Sequence, residues 1–299
     1  MNSLHGLLTA LVTPFTTGGE QVDEASLRSL VEDNISCNVH GLVAGGSTGE
    51  FAAMSDKERR EVVEIVVDQA AGRVPVIAQT GAMTTREAID LSRHAQSAGA
   101  AAVMVVAPYY EPLTLDETLN HFRAVASSVD IDVMVYNLPV ATGVNLLPSA
   151  VADLAASVPN IKYLKDTSGD YAQGALLIHE YSDVVGVFIG HDTLYFAALV
   201  EGALGAVNGA GNFVATDLVD IYERIQAGDI IGARDIWNRV FPIAQFLVSG
   251  GYVTGVKGAL EIIGRSTGAP RAPLETLGGN REVELRGILA LSDHAASDR

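Results

Sequence analysis

Positive charge is in short supply in this chain: 19 Lys and Arg face 36 Asp and Glu over 299 residues, a formal charge of −17. Such a surface disfavours nucleic acid and anionic membranes as partners. Cys37 is the single cysteine, which excludes an internal disulfide framework and a cysteine-rich metal site. No apolar stretch approaches about 20 residues without a charge or a helix breaker, and residues 1–10 lack a basic segment leading into a long apolar run. A soluble, cytoplasmic protein with no membrane span is the expectation. Lysine occurs only at Lys57, Lys162, Lys165 and Lys257, so candidates for amine chemistry are few.

Apolar sequence, by contrast, is plentiful. With 48% hydrophobic residues the chain can bury a large core. A prior of ~150 residues per domain suggests two domains, but α/β barrels of ~250 residues are the standard exception, so the pattern along the chain decides. Eight β-rich runs, at 6–13, 40–45, 74–79, 101–107, 131–136, 160–165, 184–190 and 203–208, alternate with segments of helical period. Those at 23–37, 56–71, 85–98, 115–128 and 148–157 show apolar spacings of three and four, and capping residues such as Asp23, Ser55 and Thr84 stand at helix starts. The alternation predicts an α/β fold, a parallel sheet closed into a (β/α)8 TIM barrel. An open doubly wound sheet is disfavoured, because no Gly-x-Gly-x-x-Gly turn follows the first run and the count stops at eight. Beyond the eighth run, 214–227, 229–249, 253–264 and 281–291 are all helical in period. Residues 1–225 are therefore expected to form the barrel and 226–299 a C-terminal helical extension packed on it as one structural unit, frayed at 294–299.

The sixth run ends on Lys165 and continues Asp166-Thr167-Ser168-Gly169-Asp170. Strand side chains alternate, which puts Ile161, Tyr163 and Lys165 on one face and Lys162 and Leu164 on the other. Lys165 thus travels with the apolar set. Burial disfavours an ammonium and frees the amine to attack a carbonyl, as a Schiff base requires. The plain alternative is a strand-end lysine that reaches into water.

In barrels the chemistry sits at the C-terminal strand ends. Here those ends are polar, among them Gly46-Ser47-Thr48-Gly49-Glu50, Pro108-Tyr109-Tyr110, Tyr136-Asn137-Leu138-Pro139, Gly190-His191-Asp192 and Asn208-Gly209. The loop at 46–50, read as leading into a helix N-terminus, can hold a small anion, a carboxylate better than a nucleotide phosphate, with the Ser47 and Thr48 hydroxyls as extra donors. A plain tight turn would also use such glycines. Tyr136 would neighbour Lys165 on the adjacent strand, where a phenol can relay protons or merely cap the barrel. Of seven histidines only His191 falls at a strand end, and one imidazole does not make a zinc site. It reads as a substrate contact or a loop residue, and no metal is expected.

Taken together and in order, the blocks at 46–50, 108–110, 136–139 and 165–169 resemble the dihydrodipicolinate synthase / N-acetylneuraminate lyase family of pyruvate-dependent class I aldolases, over nearly the whole chain. The resemblance implies that Lys165 condenses with pyruvate or another 2-keto acid, with no cofactor beyond that covalent imine. It further implies Tyr136 as proton relay, hydrogen-bonded to Ser47, and Tyr110 extending the relay from a neighbouring subunit. Gly46 and Thr48 would hold the carboxylate, and Val207 would line the pyruvate pocket. Thr167, His191, Asp192 and Asn208 are further substrate-binding candidates.

The family's habit implies a homotetramer built as a dimer of dimers, acting on a small 2-keto acid and an aldehyde. Ala141 stands where dihydrodipicolinate-forming synthases carry an arginine, and Thr193 where neuraminate lyases carry a glutamate beside the acidic residue matched by Asp192. The expected activity makes or breaks a C–C bond to an aldehyde. Alternatives are a 2-keto-3-deoxy sugar acid dehydratase and a 4-hydroxy-tetrahydrodipicolinate synthase lacking the usual arginine. A binding barrel without turnover is the rival from another class, and the presence of Lys165, Tyr136 and Ser47 together argues against it.

Overall fold

A computed structural model describes residues 4–297, with side chains described through residue 291. Its eight parallel strands are β1 Gly6–Ala10, β2 Gly41–Ala44, β3 Val76–Gln79, β4 Ala102–Val106, β5 Asp132–Asn137, β6 Ile161–Asp166, β7 Gly186–Ile189 and β8 Gly205–Asn208. They close in sequence order, with β8 paired back to β1, so the sheet has no edge. One strand falls on each expected run, β5 and β6 reaching one residue past its end, and the chain is a (β/α)8 barrel followed by C-terminal helices. The fraying expected at 294–299 falls on side chains and a terminus outside the described residues.

The helices around the barrel begin where side chains can satisfy first-turn amides. Asp23 accepts from the Ser26 amide at 3.0 Å, Thr84 from the Glu87 amide at 3.2 Å, and Ser55 and Glu58 cap each other's backbone reciprocally. Each such cap is worth ~1 kcal/mol.

Two expectations about strands need correction. The first run, 6–13, stops pairing at Ala10 because the Asn212 side chain takes over the ladder. Its Nδ2 donates to the Ala10 carbonyl at 2.8 Å and its Oδ1 accepts from the Val12 amide at 3.1 Å. In β6, strict alternation fails at its foot: Val133 pairs with Ile161 but Met134 pairs with Tyr163, a bulge that takes in Lys162. The slip puts Ile161 out of step with Tyr163 and Lys165. Tyr163 and Lys165 still share the barrel-facing side, where Tyr163 packs edge-on against Phe188 at 5.8 Å.

After β8 come the helices Gly211–Gln226, Ile230–Val248, Tyr252–Ile262 and Gly279–Ser297. Trp237 stacks on Phe196 and packs beside Tyr195, whose hydroxyl donates to the Leu218 carbonyl at 2.7 Å. Lys257 meets Glu50 of the loop after β2, both side chains almost fully buried. These contacts carry the C-terminal helices over the strand ends. Among the described residues no helix is long and apolar enough to cross a membrane.

Candidate active site

Lys165, next to the last residue of β6, is only 6% exposed and in register with Tyr136 on β5 and Phe188 on β7. Its Nζ lies 4.1 Å from the centroid of the Tyr136 ring, so amine and phenol face one cavity of about 490 Å³ at the strands' C-terminal end. Gly190 makes room for the amine. A Cβ there would come within 2.6 Å of Lys165 Cε and 2.0 Å of Thr167 Oγ1, so no residue but glycine leaves both side chains where they are. A larger cavity of about 560 Å³ lies at the opposite end of the barrel. Its His40 is already committed to the Leu7 amide and to Glu223, and no lysine lines it.

On the far face of β6, next to Lys165, Asp166 anchors the rim. Asn137 Nδ2 and Ser168 Oγ each donate to its carboxylate at 2.8 Å. Burial pushes the Asp166 carboxyl above its ordinary range, and those hydrogen bonds oppose the shift. Asn137 Oδ1 also accepts from the Leu146 amide at 3.0 Å. The loop after β5 is thereby tied to the lysine strand, and its Leu138 and Val140 line the cavity mouth.

The anion cradle differs from the expectation of a helix N-terminus. The loop at 46–50 runs into a short 3-10 turn, Phe51–Ala53, and the helix Asp56–Ala70 starts later under its own capping box. Its geometry is that of a tight turn: Glu50 N donates to Ser47 O and Phe51 N to Gly46 O, with Gly45 and Glu50 both at positive φ, 61° and 59°. The Thr48 amide makes no hydrogen bond within the described chain, and Thr48 lines the cavity. An unbonded amide in a turn can still bind a carboxylate.

Of the residues singled out in the sequence, Ser47, Thr48, Tyr136, Lys165, Thr167, His191, Asp192 and Val207 all line this one cavity. Gly46 is buried directly behind Ser47. Thr167 Oγ1 is buried without a hydrogen-bond partner among the described residues, and His191 Nδ1 pairs with Thr193 Oγ1 at 2.9 Å. Asn208 does not line the cavity; its Oδ1 accepts from the Ala210 amide at 2.8 Å, a local turn bond. Ser47 makes no hydrogen bond to Tyr136 among the described residues. Tyr110 is 79% exposed and lines a separate hollow with His121 and Glu117, away from its own Lys165. Ala141 is exposed. Among the described residues no group of three or more His, Cys, Asp or Glu is placed to hold a metal ion.

Sequence reasoning missed the roof. Leu247, Val248, Tyr252 and Val253 from the C-terminal helices, with Gly250 from the link between two of them, close one side of the cavity. Tyr252 donates to Asp192 at 2.8 Å. The break Ser249-Gly250-Gly251 between two helical runs was the available signal, since a bend there returns the chain toward the strand ends.

A buried strand-end lysine beside a phenol and an unbonded amide, inside a closed parallel barrel, defines the class of imine-forming barrel lyases. Known proteins agree with that reading. The model of the dihydrodipicolinate synthetase family matches residues 3–291. The 4-hydroxy-tetrahydrodipicolinate synthase of Methanospirillum hungatei is 37% identical over 291 residues, covering 97% of this chain and 99% of its own. That of Methanopyrus kandleri is 35% identical over 91% of both chains. Among solved structures, YagE, a prophage protein of the dihydrodipicolinic acid synthase family from E. coli K12 in complex with pyruvate, superposes with a TM-score of 0.93 at 32% identity, over 98% of this chain and 99% of that one. The chloride-inhibited dihydrodipicolinate synthase of Acinetobacter baumannii complexed with pyruvate gives a TM-score of 0.94 at 32% identity, over 97% and 99%. The chain belongs to the dihydrodipicolinate synthetase family. It is a pyruvate-dependent lyase of the class I aldolase type, whose chemistry runs through a lysine imine and needs no external cofactor.

Proposed function

We propose that Lys165 is the imine-forming residue and that the enzyme joins or cleaves a 2-keto acid and an aldehyde without a second carboxylate. The observation that carries the proposal is the Lys165 nitrogen 4.1 Å from the Tyr136 ring centroid inside one cavity. The amine adds to C2 of the keto acid. Tyr136, which shares the cavity with Ser47, protonates the carbinolamine oxygen, which leaves as water and yields an iminium. Loss of a C3 proton gives the enamine, whose C3 attacks the aldehyde carbon while the aldehyde oxygen takes up a proton. Water then hydrolyses the imine and returns the amine. The Thr48 amide and hydroxyl, with Gly46 setting the turn, hold the keto acid's carboxylate, and Val207 walls the pocket. Thr167, His191 and Asp192 lie toward the incoming aldehyde.

The choice of aldehyde follows from charge. Lys165 and Asp192 are the only Lys, Arg, Asp or Glu side chains lining the cavity among the described residues. With Ala141 at the arginine's place, a second carboxylate would meet no cation there and would be repelled by Asp192. A dicarboxylate-forming reaction is the second reading, supported by the names of the curated relatives. Product analysis separates the two. Incubated with pyruvate, neutral polyhydroxy aldehydes are expected to be consumed at least about tenfold faster than a carboxylate-bearing semialdehyde, since each unpaired buried charge costs several kcal/mol. The reverse order would establish the second reading. Offered a 2-keto-3-deoxy sugar acid, the enzyme should release free pyruvate; a keto acid short of one water would mark a dehydratase.

We infer that Tyr110 acts in a neighbouring subunit's site within a homotetramer of two such dimers, because it is exposed and turned away from its own cavity. Mixing inactive Lys165→Ala and Tyr110→Phe proteins and allowing exchange should restore about a quarter of wild-type activity, from random pairing of two-fold dimers. No recovery would place Tyr110 outside the mechanism. Residues 1–225 and 226–299 are read as one structural unit, and a single unfolding transition in calorimetry is the expected result. A cytoplasmic setting suits the lone, half-buried Cys37; thiol labelling on extraction should find it reduced.

A further inference from the structure

Two tyrosines face the Lys165 cavity, and one of them, Tyr252, comes from outside the barrel. We propose that Tyr252 is a positioning residue that holds the Asp192 carboxylate as a fixed counter-charge to the Lys165 iminium, so that the helical extension supplies part of the active-site field. The proposal rests on the imine reading of Lys165 and adds a residue to it.

The phenol is engaged on both sides. Its oxygen stands 2.8 Å from Oδ1 and 2.8 Å from Oδ2 of Asp192, sharing its one proton across the carboxylate, and it accepts the Gly209 amide at 3.0 Å. The end of β8 leaves space for it: a Cβ on Gly209 would lie 2.6 Å from the Tyr252 oxygen. Asp192 is 2% exposed and is the only carboxylate lining the cavity among the described residues. The iminium of a primary amine is a protonated imine with a positive charge on its nitrogen, and a preorganised anion in the same water-poor space stabilises that charged form more than solvent would. A carboxylate fixed by a bridging phenol needs no reorganisation when that charge forms.

The groups facing Asp192 can be named. Tyr252 from the extension, Lys165 from β6 and the Ala210 amide after β8 all favour its ionised form, and burial opposes them, leaving the carboxyl at about 6. Tyr136 of β5 acts on Tyr252, whose phenol is kept protonated far above its usual range by burial and by Asp192. The adjacent His191 is pushed by burial toward its neutral form. Asp192 is therefore charged above about pH 6 and neutral below it. Steps through the iminium lose their counter-charge as pH falls through that point. Removing the phenol's hydrogen bond to the charged form raises the carboxyl further, so the acid limb moves to higher pH.

Pyruvate alone serves as the probe, since its methyl protons exchange with D2O through the enamine whatever the aldehyde. Proton NMR should show exchange by the wild-type protein falling away below about pH 6. Tyr252→Phe should move the fall-off upward by about one pH unit, the scale of one charge-assisted hydrogen bond. One unit below the wild-type midpoint it should therefore be about tenfold slower than wild type, with a smaller change on the plateau. Asp192→Asn should lose this fall-off altogether.

A purely structural tyrosine would slow exchange evenly across pH and leave the limb in place, and that result overturns the proposal. If Tyr252→Phe does not fold, Asp192→Asn decides alone: an acid limb retained at the wild-type pH overturns it. Borohydride treatment of the wild-type protein with pyruvate separates two kinds of failure. No adduct on Lys165 overturns the imine reading and this inference with it, whereas an adduct together with an unmoved limb overturns this inference alone.

Discussion

Lys165→Ala is expected to slow exchange of pyruvate's methyl protons by about 10⁴-fold or more, the scale on which loss of a covalent nucleophile acts. Nothing else in the cavity can substitute for it. Lys162 is exposed on β6 and lines no part of the cavity, Lys57 is on the surface at the start of an outer helix, and Lys257 is held against Glu50. The fold should survive the change. Lys165 contacts the Tyr136 ring, and although its charge favours the ionised form of Asp192, that carboxylate keeps its Tyr252 hydrogen bond when alanine replaces the lysine, while the desolvation cost of a buried amine disappears. The melting temperature should therefore hold steady or rise while activity vanishes. A rate within tenfold of wild type would remove Lys165 from the mechanism.

The largest effect on stability belongs to another lysine. Lys257 Nζ lies 2.7 Å from Glu50 Oε1, with side chains 3% and 1% exposed, a buried ion pair. Burial pushes the Lys257 ammonium below its ordinary value and Glu50 opposes that shift. The same ammonium sits 4.5 Å from the Phe15 ring centroid, and the Arg271 amide donates to the other Glu50 oxygen at 2.7 Å.

Lys257→Met would leave Glu50 buried and largely uncompensated, at a cost of about 3–5 kcal/mol. For a chain of this size that corresponds to a fall of roughly 10 °C in melting temperature. Pyruvate affinity should drop too, because Glu50 ends the turn that presents Thr48. The double variant Glu50→Gln, Lys257→Met should recover most of the lost stability, since no lone charge remains. Calorimetry checks both, and a single variant melting within about 2 °C of wild type would show the pair to be dispensable.

How much could be read from the sequence depended on whether the cause was local. Each β-rich run and its capped helix is decided within a few residues, and so eight strands and the starts at Asp23, Ser55 and Thr84 were legible. Lys165 was legible because period-two alternation and strand-end chemistry pointed to the same residue. The bulge at the foot of β6 was not, since register against β5 depends on the partner strand. The turn at 46–50 carries the glycines and hydroxyls of a helix entry, and only its backbone angles distinguish the two. Asn208 has the residue type of a ligand contact but is used by the backbone two residues on. Tyr252 is separated from Asp192 by 60 positions, and Lys257 from Glu50 by more than 200. Pairings of that span follow from how the extension folds back, which no local pattern records.

One measurement bears most directly on the central claim. The wild-type protein is incubated with pyruvate, reduced with borohydride, digested and mapped by mass spectrometry. A reduced pyruvate adduct on the peptide carrying Lys165, with Lys57, Lys162 and Lys257 unmodified, is the expected result. Unmodified Lys165, or an adduct confined to any other lysine, would contradict it.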